Sequence, residues 1–173
     1  NAMLGASFEE VSTDDLRFEG SDFLSEELYT MNLATILNIA KTYTRLQETS
    51  AVGFFGRLNY SWKSRYILAG TLRRDASSKF GKNNRWGWFP SVSAAWRVSD
   101  EFFMKWTKPL LSDAKIRVSY GVTGNDKISA YEAMTTYTVN GNYNNIGAVV
   151  GSSKYGNPNL KWEETKQTNF GLD

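Results

Sequence analysis

The sequence contains no cysteine and no histidine among its 173 residues. Without cysteine there is no disulfide framework and no thiolate chemistry. Without histidine, the commonest general base and the commonest transition-metal ligand are missing. The usual nucleophilic triads are therefore excluded, and no facing pair of carboxylates suited to glycoside hydrolysis stands out. We expect a protein that is not an enzyme, with no catalytic residue, no metal site and no cofactor.

The sequence also lacks long hydrophobic runs and an excess of one charge. No run of about 18 apolar residues occurs, so we expect no transmembrane helix. Lys and Arg number 20 against 18 Asp and Glu, a net charge of +2. That balance is too even to indicate a nucleic-acid partner. Three prolines and 14 glycines are too few for a low-complexity or collagen-like chain.

What the sequence has instead is a repeated alternation of apolar and polar residues. In AVGFFGRLNYSW, residues 51–62, the even positions are apolar apart from Gly56, and most odd positions are small or polar. This period of two is typical of β-strands. We predict six strands, near residues 3–10, 51–62, 65–75, 86–98, 114–123 and 165–173. Long outer loops at 11–50, 76–85 and 124–164, with shorter connections on the other side, predict an all-β antiparallel meander.

Aromatic side chains concentrate at the ends of the predicted strands. An 11-residue strand tilted by about 45° rises about 26 Å, close to the roughly 25 Å apolar band of an outer-membrane barrel. Amphipathic rings settle at the two headgroup levels of such a band. The predicted inner belt, beside the short turn, comprises Tyr60, Trp62, Tyr66 and Trp96, and the outer belt comprises Trp86 and Trp88. Six strands cannot close a barrel, so the sheet would be one sector of a larger wall.

Three blocks of sequence resemble the barrel of SusC/RagA-type TonB-linked outer-membrane transporters. They are GRLNYSWKSRYILAGTLRRDASSKFGKNNRWGWFPSVSAAWRVSDEFFMK, DAKIRVSYGVTGND and YGNPNLKWEETKQTNFGLD, in that order. The resemblance implies a barrel of about 22 strands, plugged by an N-terminal domain, in the outer membrane of a Gram-negative bacterium. It implies import of oligosaccharides or peptides together with a SusD-like surface lipoprotein, driven through the TonB complex. The plug domain and the TonB box are absent from the sequence, so we expect wall and outer loops only.

The strand residues of opposite parity are predicted to face the water-filled lumen. The polar members of this set are Arg57, Asn59, Arg73, Asp75, Arg97, Lys115 and Arg117. Their charges could hydrate the cavity or hold the plug through ion pairs. They could equally form ordinary salt bridges between neighbouring strands, which contribute little. The sequence leaves both interpretations open.

The outer loops contain aromatic and amide side chains that suit sugar rings. The candidates for substrate contact are Tyr137, Tyr143, Asn144, Tyr155 and Trp162. Residues of these types are also common in any outer loop. A soluble sheet alternates apolar and polar residues too. The alternative to the barrel wall is therefore a soluble extracellular β-sandwich that binds carbohydrate through its tryptophans.

Pro90 lies inside the fourth predicted strand. Proline has no backbone N–H, so a ladder hydrogen bond must be missing there. We predict a local break or bulge near the outer rim.

Overall fold

The computed structural model describes residues 1–24, 27, 30, 32, 34–107, 113–143, 146–151 and 155–173. In these residues the regular structure is almost entirely β. The strands are β1 Ala2–Arg17, β2 Gly20–Phe23, β3 Ala34–Leu37, β4 Tyr43–Trp62, β5 Tyr66–Ser77, β6 Trp86–Arg97, β7 Lys115–Asn125, β8 Tyr137–Tyr143, β9 Ile146–Gly151 and β10 Glu163–Leu172. Short 3-10 helices lie at Ile39–Lys41, Val98–Asp100 and Phe102–Thr107. Among the described residues, none forms a helix with the length and apolar character needed to cross a bilayer.

One six-stranded sheet carries the site, in the order β1-β4-β5-β6-β7-β10. The pairs from β4 to β10 are antiparallel. This confirms the prediction of an all-β antiparallel sheet with six strands. The turn between β4 and β5 is tight because Lys63 and Ser64 both adopt positive φ, 50° and 54°. Positive φ at both central residues matches the twist of the flanking strands in a short hairpin turn.

The strand register sorts the side chains onto two faces. Leu58, Gly70, Val92 and Tyr120 are successive cross-strand partners and form one row of the first face. The row beside it, on the opposite face, runs through Arg57, Thr71, Ser91 and Gly121. Because side chains alternate along a strand, this registration keeps one face apolar and the other polar over the sheet.

The apolar face is exposed. Leu58 is 67% exposed, Val92 59% and Phe170 83%. Side chains of this kind, side by side in one sheet, would be buried in a soluble sandwich. An apolar face with this much exposure is unfavourable in water and indicates contact with another apolar surface or with lipid.

Some strand boundaries differ from the sequence-based ones. The predicted loop 11–50 includes the end of β1, which continues to Arg17, and the start of β4, which begins at Tyr43. Both segments are polar and exposed, so they lack the apolar alternation that revealed the other strands. Backbone pairing between neighbouring strands does not need that alternation. The predicted loop 124–164 likewise contains the β8–β9 hairpin.

The chain divides into two units, Asn1–Glu9 with Ser50–Asp173, and Glu10–Thr49. The second unit holds the antiparallel β2–β3 pair. Glu19 stabilises it locally by pairing with Lys41 at 2.5 Å and with Arg17 at 3.6 Å. The bond from Lys41 is the main reason why the pKa of Glu19 lies below its ordinary value.

The buried side chains of the first unit gather mainly at one end of the sheet. Phe80 is 1% exposed and Phe89 7%, and Ala76, Ser77 and Val122 are buried with them. Trp162 packs on both rings, with centroids 5.2 Å from each. In the part of the chain that the structure describes, the middle of the sheet has no such core, which fits a wall rather than a globule.

Pro90 lies where one ladder stops. β6 pairs with β5 along its length, including Leu72 with Pro90, whereas its pairing with β7 begins only at Ser91. The predicted break is therefore on the β7 side, and no bulge interrupts the β5–β6 register. Beyond Ser91 the Phe89 ring lies against Gly87 and Gly124, and Trp162 packs on that ring.

Candidate functional site

The inner belt is a continuous row of rings at the β4–β5 turn. Trp62 and Tyr66 have centroids 5.5 Å apart, Tyr66 and Trp96 are stacked at 6.4 Å, and Trp96 meets Phe103 edge-on at 6.4 Å. The register causes this, because Trp62 pairs with Tyr66, and Tyr66 pairs with Trp96. Tyr60 lies on the same face and is exposed.

A single carboxylate holds the polar tips of this row. Glu101, in the connection after β6, accepts hydrogen bonds from the Tyr66 hydroxyl at 2.6 Å and from Trp96 Nε1 at 3.2 Å. Arg65 approaches its other oxygen at 3.5 Å. The bonds from Tyr66 and then Trp96 lower the pKa of Glu101 below its ordinary value. Glu101 thus stays charged and fixes the ring orientations.

The outer belt is built around an arginine. The guanidinium carbon of Arg74 lies 4.3 Å from the Trp86 ring centroid and 5.0 Å from that of Trp88. Phe54 stacks on Trp86 at 6.3 Å. Arg74 pairs with Trp88 across the ladder, so it belongs to the apolar face. Cation–π contact and the length of its methylene stem allow an arginine to lie at such a boundary.

The two belts are separated by about the thickness of a membrane's apolar layer. Tyr66 pairs with Trp96 at one level, and Ala76 pairs with Trp86 at the other. Ten residues of strand tilted by about 45° cover about 24 Å. The rows between them on this face contain no charged residue in β4, β5 or β6 other than Arg74, at the outer rim.

The polar face carries the charged residues predicted for the lumen. Arg73 donates to Asp75 at 2.6 Å and to Ser7 at 3.2 Å, and Arg57 donates to Asn59 at 3.2 Å. The remaining three are paired with acids at the turn end: Arg97 with Asp100 and Asp113, and Lys115 and Arg117 with Asp173. The geometry shows ion pairs within the wall; a role in holding a plug stays a prediction.

Of the loop candidates whose side chains the structure describes, two are exposed and one is packed against other rings. Tyr137 is 68% exposed and Tyr155 84%. The side chain of Tyr143 and all of Asn144 lie outside what the structure describes. Trp162 packs against Phe80 and Phe89, and its Nε1 donates to the Arg85 carbonyl at 2.8 Å. These contacts anchor a loop, and contact with substrate at these positions stays a prediction.

Three residues of this site were missed in the sequence. Glu101 and Phe80 belong to connections, where no periodicity gives a face. Arg74 could have been recognised, because it lies among the apolar residues of its strand, between Leu72 and Ala76. Its charge there, one strand away from Trp86 and Trp88, was the available signal.

A sheet with one apolar face, one polar face and two levels of aromatic side chains is typical of a known group of proteins. The family model described as TonB dependent receptor-like, beta-barrel matches residues 3–173. This chain belongs to that family of TonB-dependent receptor barrels. The family assignment supports the barrel wall over the soluble β-sandwich alternative.

Relatives of this receptor chain support the assignment. It is 38% identical over 173 residues to TonB-dependent receptor P3 of Formosa agariphila, covering 98% of this chain and 17% of that protein. It is 43% identical over 132 residues to TonB-dependent receptor SusC of Bacteroides thetaiotaomicron, covering 73% of this chain and 13% of that protein. The RagAB peptide importer in its closed-closed state contains a chain with a TM-score of 0.84 and 32% identity, of which this chain covers 19%.

The receptor chain therefore spans less than a fifth of the length of these relatives. The resemblance to SusC/RagA-type transporters drawn from the sequence is confirmed. The relatives are receptors and an importer rather than enzymes, which fits the expectation that this chain catalyses no reaction. Members of the family are outer-membrane β-barrel proteins.

Proposed function

We propose that this chain forms part of the wall and outer loops of a TonB-dependent importer in a Gram-negative outer membrane. The cargo would be an oligosaccharide or a peptide, and a SusD-like surface lipoprotein would act with it. The main observation in support is the exposed apolar face between two aromatic belts, in a chain of this receptor family. Water would penalise that face, whereas lipid would stabilise it.

The polar face would line the lumen. Its ion pairs and hydroxyl and amide groups can remain hydrated while a solute or a plug passes beside them. The TonB complex would act through a plug that is not part of this sequence. Cargo choice between glycan and peptide would lie in the outer loops and in the lipoprotein, because those surfaces meet the solute first.

Membrane topology tests the proposal most directly. Single cysteines replace Lys82, in the loop between β5 and β6, and Ser64, in the turn between β4 and β5, in the complete receptor. We expect a membrane-impermeant thiol reagent to label Lys82→Cys on intact cells and to label Ser64→Cys only after lysis. Labelling of Ser64→Cys alone on intact cells would show that the chain has the opposite orientation in the membrane. Equal labelling at both sites on intact cells would show that the two sites do not lie on opposite sides of the membrane, which would contradict the proposal.

The cargo and the partner need separate tests. Deletion of the receptor gene should abolish growth on the cargo, oligosaccharide or peptide, while leaving growth on free monosaccharides and amino acids intact. A tagged receptor should retain a surface lipoprotein when purified from outer membranes in mild detergent. A receptor that purifies without any lipoprotein under these conditions would contradict the partnership and leave the topology result unaffected.

A further inference from the structure

The apolar face is not uniformly convex. Gly70, in the middle of β5, leaves a hollow between larger neighbours on this face. A Cβ added at Gly70 would have no atom within 4 Å. Two adjoining hollows of about 810 and 610 Å³ share Leu58, Gly70 and Val92 in their linings. Together they form one groove, the β4–β6 groove.

Measured along the membrane normal, the groove and the residue at its outer end extend over about the thickness of one leaflet. It runs from the row of Tyr60 and Leu68 to the row of Leu72 and Pro90, and the next row outward contains Arg74. Six residues of tilted strand, from Leu68 to Arg74, cover about 14 Å, half the apolar thickness of a bilayer. An acyl chain lying in the groove would have its headgroup end at Arg74.

In the described part of the chain, Arg74 has no carboxylate partner, unlike three arginines of the polar face. Arg73, Arg97 and Arg117 each have a carboxylate partner. Among the described residues, Arg74 makes only its contacts with Trp86 and Trp88, so its N–H groups have no acceptor there. A guanidinium at headgroup level is stabilised by an anion, and its fork of N–H donors matches the oxygens of a phosphate.

We propose that the β4–β6 groove and Arg74 bind one lipid of the outer leaflet whose headgroup carries a phosphate. An acyl chain occupies the hollow over Gly70, and Arg74 donates to the phosphate oxygens. Trp86 and Trp88 flank the headgroup and keep the guanidinium at that level. The inference rests on the membrane placement proposed above. Charge complementarity with Arg74 and the length of the groove, about that of one leaflet, are the observations that select this occupant.

The test uses the complete receptor, purified from outer membranes and delipidated in mild detergent. The probes are a diphosphorylated, acylated glucosamine disaccharide, its dephosphorylated counterpart and inorganic phosphate. Bound lipid is counted by native mass spectrometry, and the melting temperature is followed in parallel. We expect the phosphorylated lipid to bind and to raise the melting temperature. The dephosphorylated lipid should bind about tenfold more weakly, as the loss of a charge-assisted hydrogen bond predicts.

Two variants and one control locate the site. Arg74→Gln should weaken binding of the phosphorylated lipid about tenfold while leaving binding of the dephosphorylated lipid unchanged. Gly70→Phe, which fills the hollow, should weaken both lipids. Arg45→Gln is the control, because Arg45 also lies over an aromatic ring, Tyr43, at 5.3 Å but is not in the linings of the two hollows. It should bind like the wild type.

Three outcomes would overturn the proposal. Equal binding of the phosphorylated lipid by Arg74→Gln and the wild type would show that Arg74 does not bind the phosphate. Stabilisation by inorganic phosphate as large as that by the lipid would show an anion site without a lipid. Unchanged binding in Gly70→Phe would exclude the groove. The cysteine labelling described above distinguishes these results from a failure of the membrane placement itself.

Discussion

Leu58 and Asn59 are neighbours in β4, yet they belong to opposite faces of the sheet. Leu58 is 67% exposed and borders the β4–β6 groove. Asn59 accepts a hydrogen bond from Arg57 on the polar face. At the scale of a residue, the two faces differ in polarity, and in the proposed membrane placement lipid would lie beside Leu58 and water beside Asn59. That contrast makes the pair a direct probe of the wall.

An arginine at each position should give different costs. Leu58→Arg places a charge in the apolar layer near mid-strand and should destabilise the folded receptor in vesicles by about 2–4 kcal/mol. Asn59→Arg remains in water and should cost well under about 1 kcal/mol. Denaturant titration of the complete receptor in lipid vesicles measures both. Equal costs for the two variants would contradict the assignment of the faces.

Glu101 makes the inner belt sensitive to acid. Its pKa is lowered by the hydrogen bonds from Tyr66 and Trp96, so the folded chain binds the proton less readily than the unfolded chain. The stability that Glu101 contributes is therefore complete above its ordinary value of 4.5 and is lost as the pH falls through the lowered value. The contribution should thus disappear below pH 4.5 and not near neutrality.

The measurement compares melting temperatures of the wild type and Glu101→Gln from pH 7 to pH 3. We expect a gap at pH 7 that narrows below pH 4.5. Tyr66→Phe removes the largest cause of the shift and should show a smaller pH dependence. A gap that stays constant down to pH 3 would show that the charge of Glu101 is irrelevant to the belt.

At the scale of elements, the outer rim is held by loops that pack on one another. Ser77 donates to Asp126 at 3.0 Å, and Lys79 pairs with the same carboxylate at 3.4 Å. Asn84 donates to the Pro158 carbonyl at 3.3 Å. The β5–β6 loop is thereby tied to the base of the long connection between β7 and β10.

Two glycines test how tightly these elements fit. A Cβ at Gly156 would lie 2.1 Å from the Met134 carbonyl carbon, so Gly156→Ala must displace backbone and should cost about 1–3 kcal/mol. Gly70→Ala enters open space and should be neutral or stabilising by about 0.5 kcal/mol. Hydrogen exchange should rise at 131–135 and 155–162 in Gly156→Ala only. A rise at these segments in both variants, or in neither, would contradict the tight fit at Gly156.

At the scale of the whole molecule, the sheet formed by the described residues has two open edges. β1 and β10 are the terminal strands of the order, and each has a neighbour on one side only. An open edge presents unpaired backbone N–H and C=O groups, and the apolar face adds exposed Leu, Val and aromatic side chains. Both surfaces would be covered by more wall and by lipid in a closed barrel.

The chain expressed by itself should therefore associate. We expect size-exclusion chromatography to show large species without detergent and a smaller, defined species with it. Leu58→Asn with Val92→Asn, which make the face more polar, should reduce the association. A monodisperse monomer with a cooperative melt in plain buffer would contradict the exposed lipid-facing surface.

The limits of sequence reasoning follow from particular residues. Alternation predicted strands at 51–62, 65–75 and 86–98, because a half-apolar strand repeats every two residues. The structure has strands at Tyr43–Trp62, Tyr66–Ser77 and Trp86–Arg97. The extension of β1 to Arg17 was missed, since a strand polar on both faces has no such signal. The roles of Phe80 and Glu101 were missed as well, because partners in connections are set by three-dimensional approach.

The amino-acid sequence by itself determined which residues belong to the apolar face of the sheet and which to the polar face, since side-chain parity along a strand is a local property. It also determined the two aromatic levels, which depend on strand length alone. Only the tertiary structure decided that Glu101 binds Tyr66 and Trp96, that Trp162 packs on Phe80 and Phe89, and that Arg74 contacts Trp86 and Trp88. These contacts join residues from different strands and loops, so register and loop packing fix them.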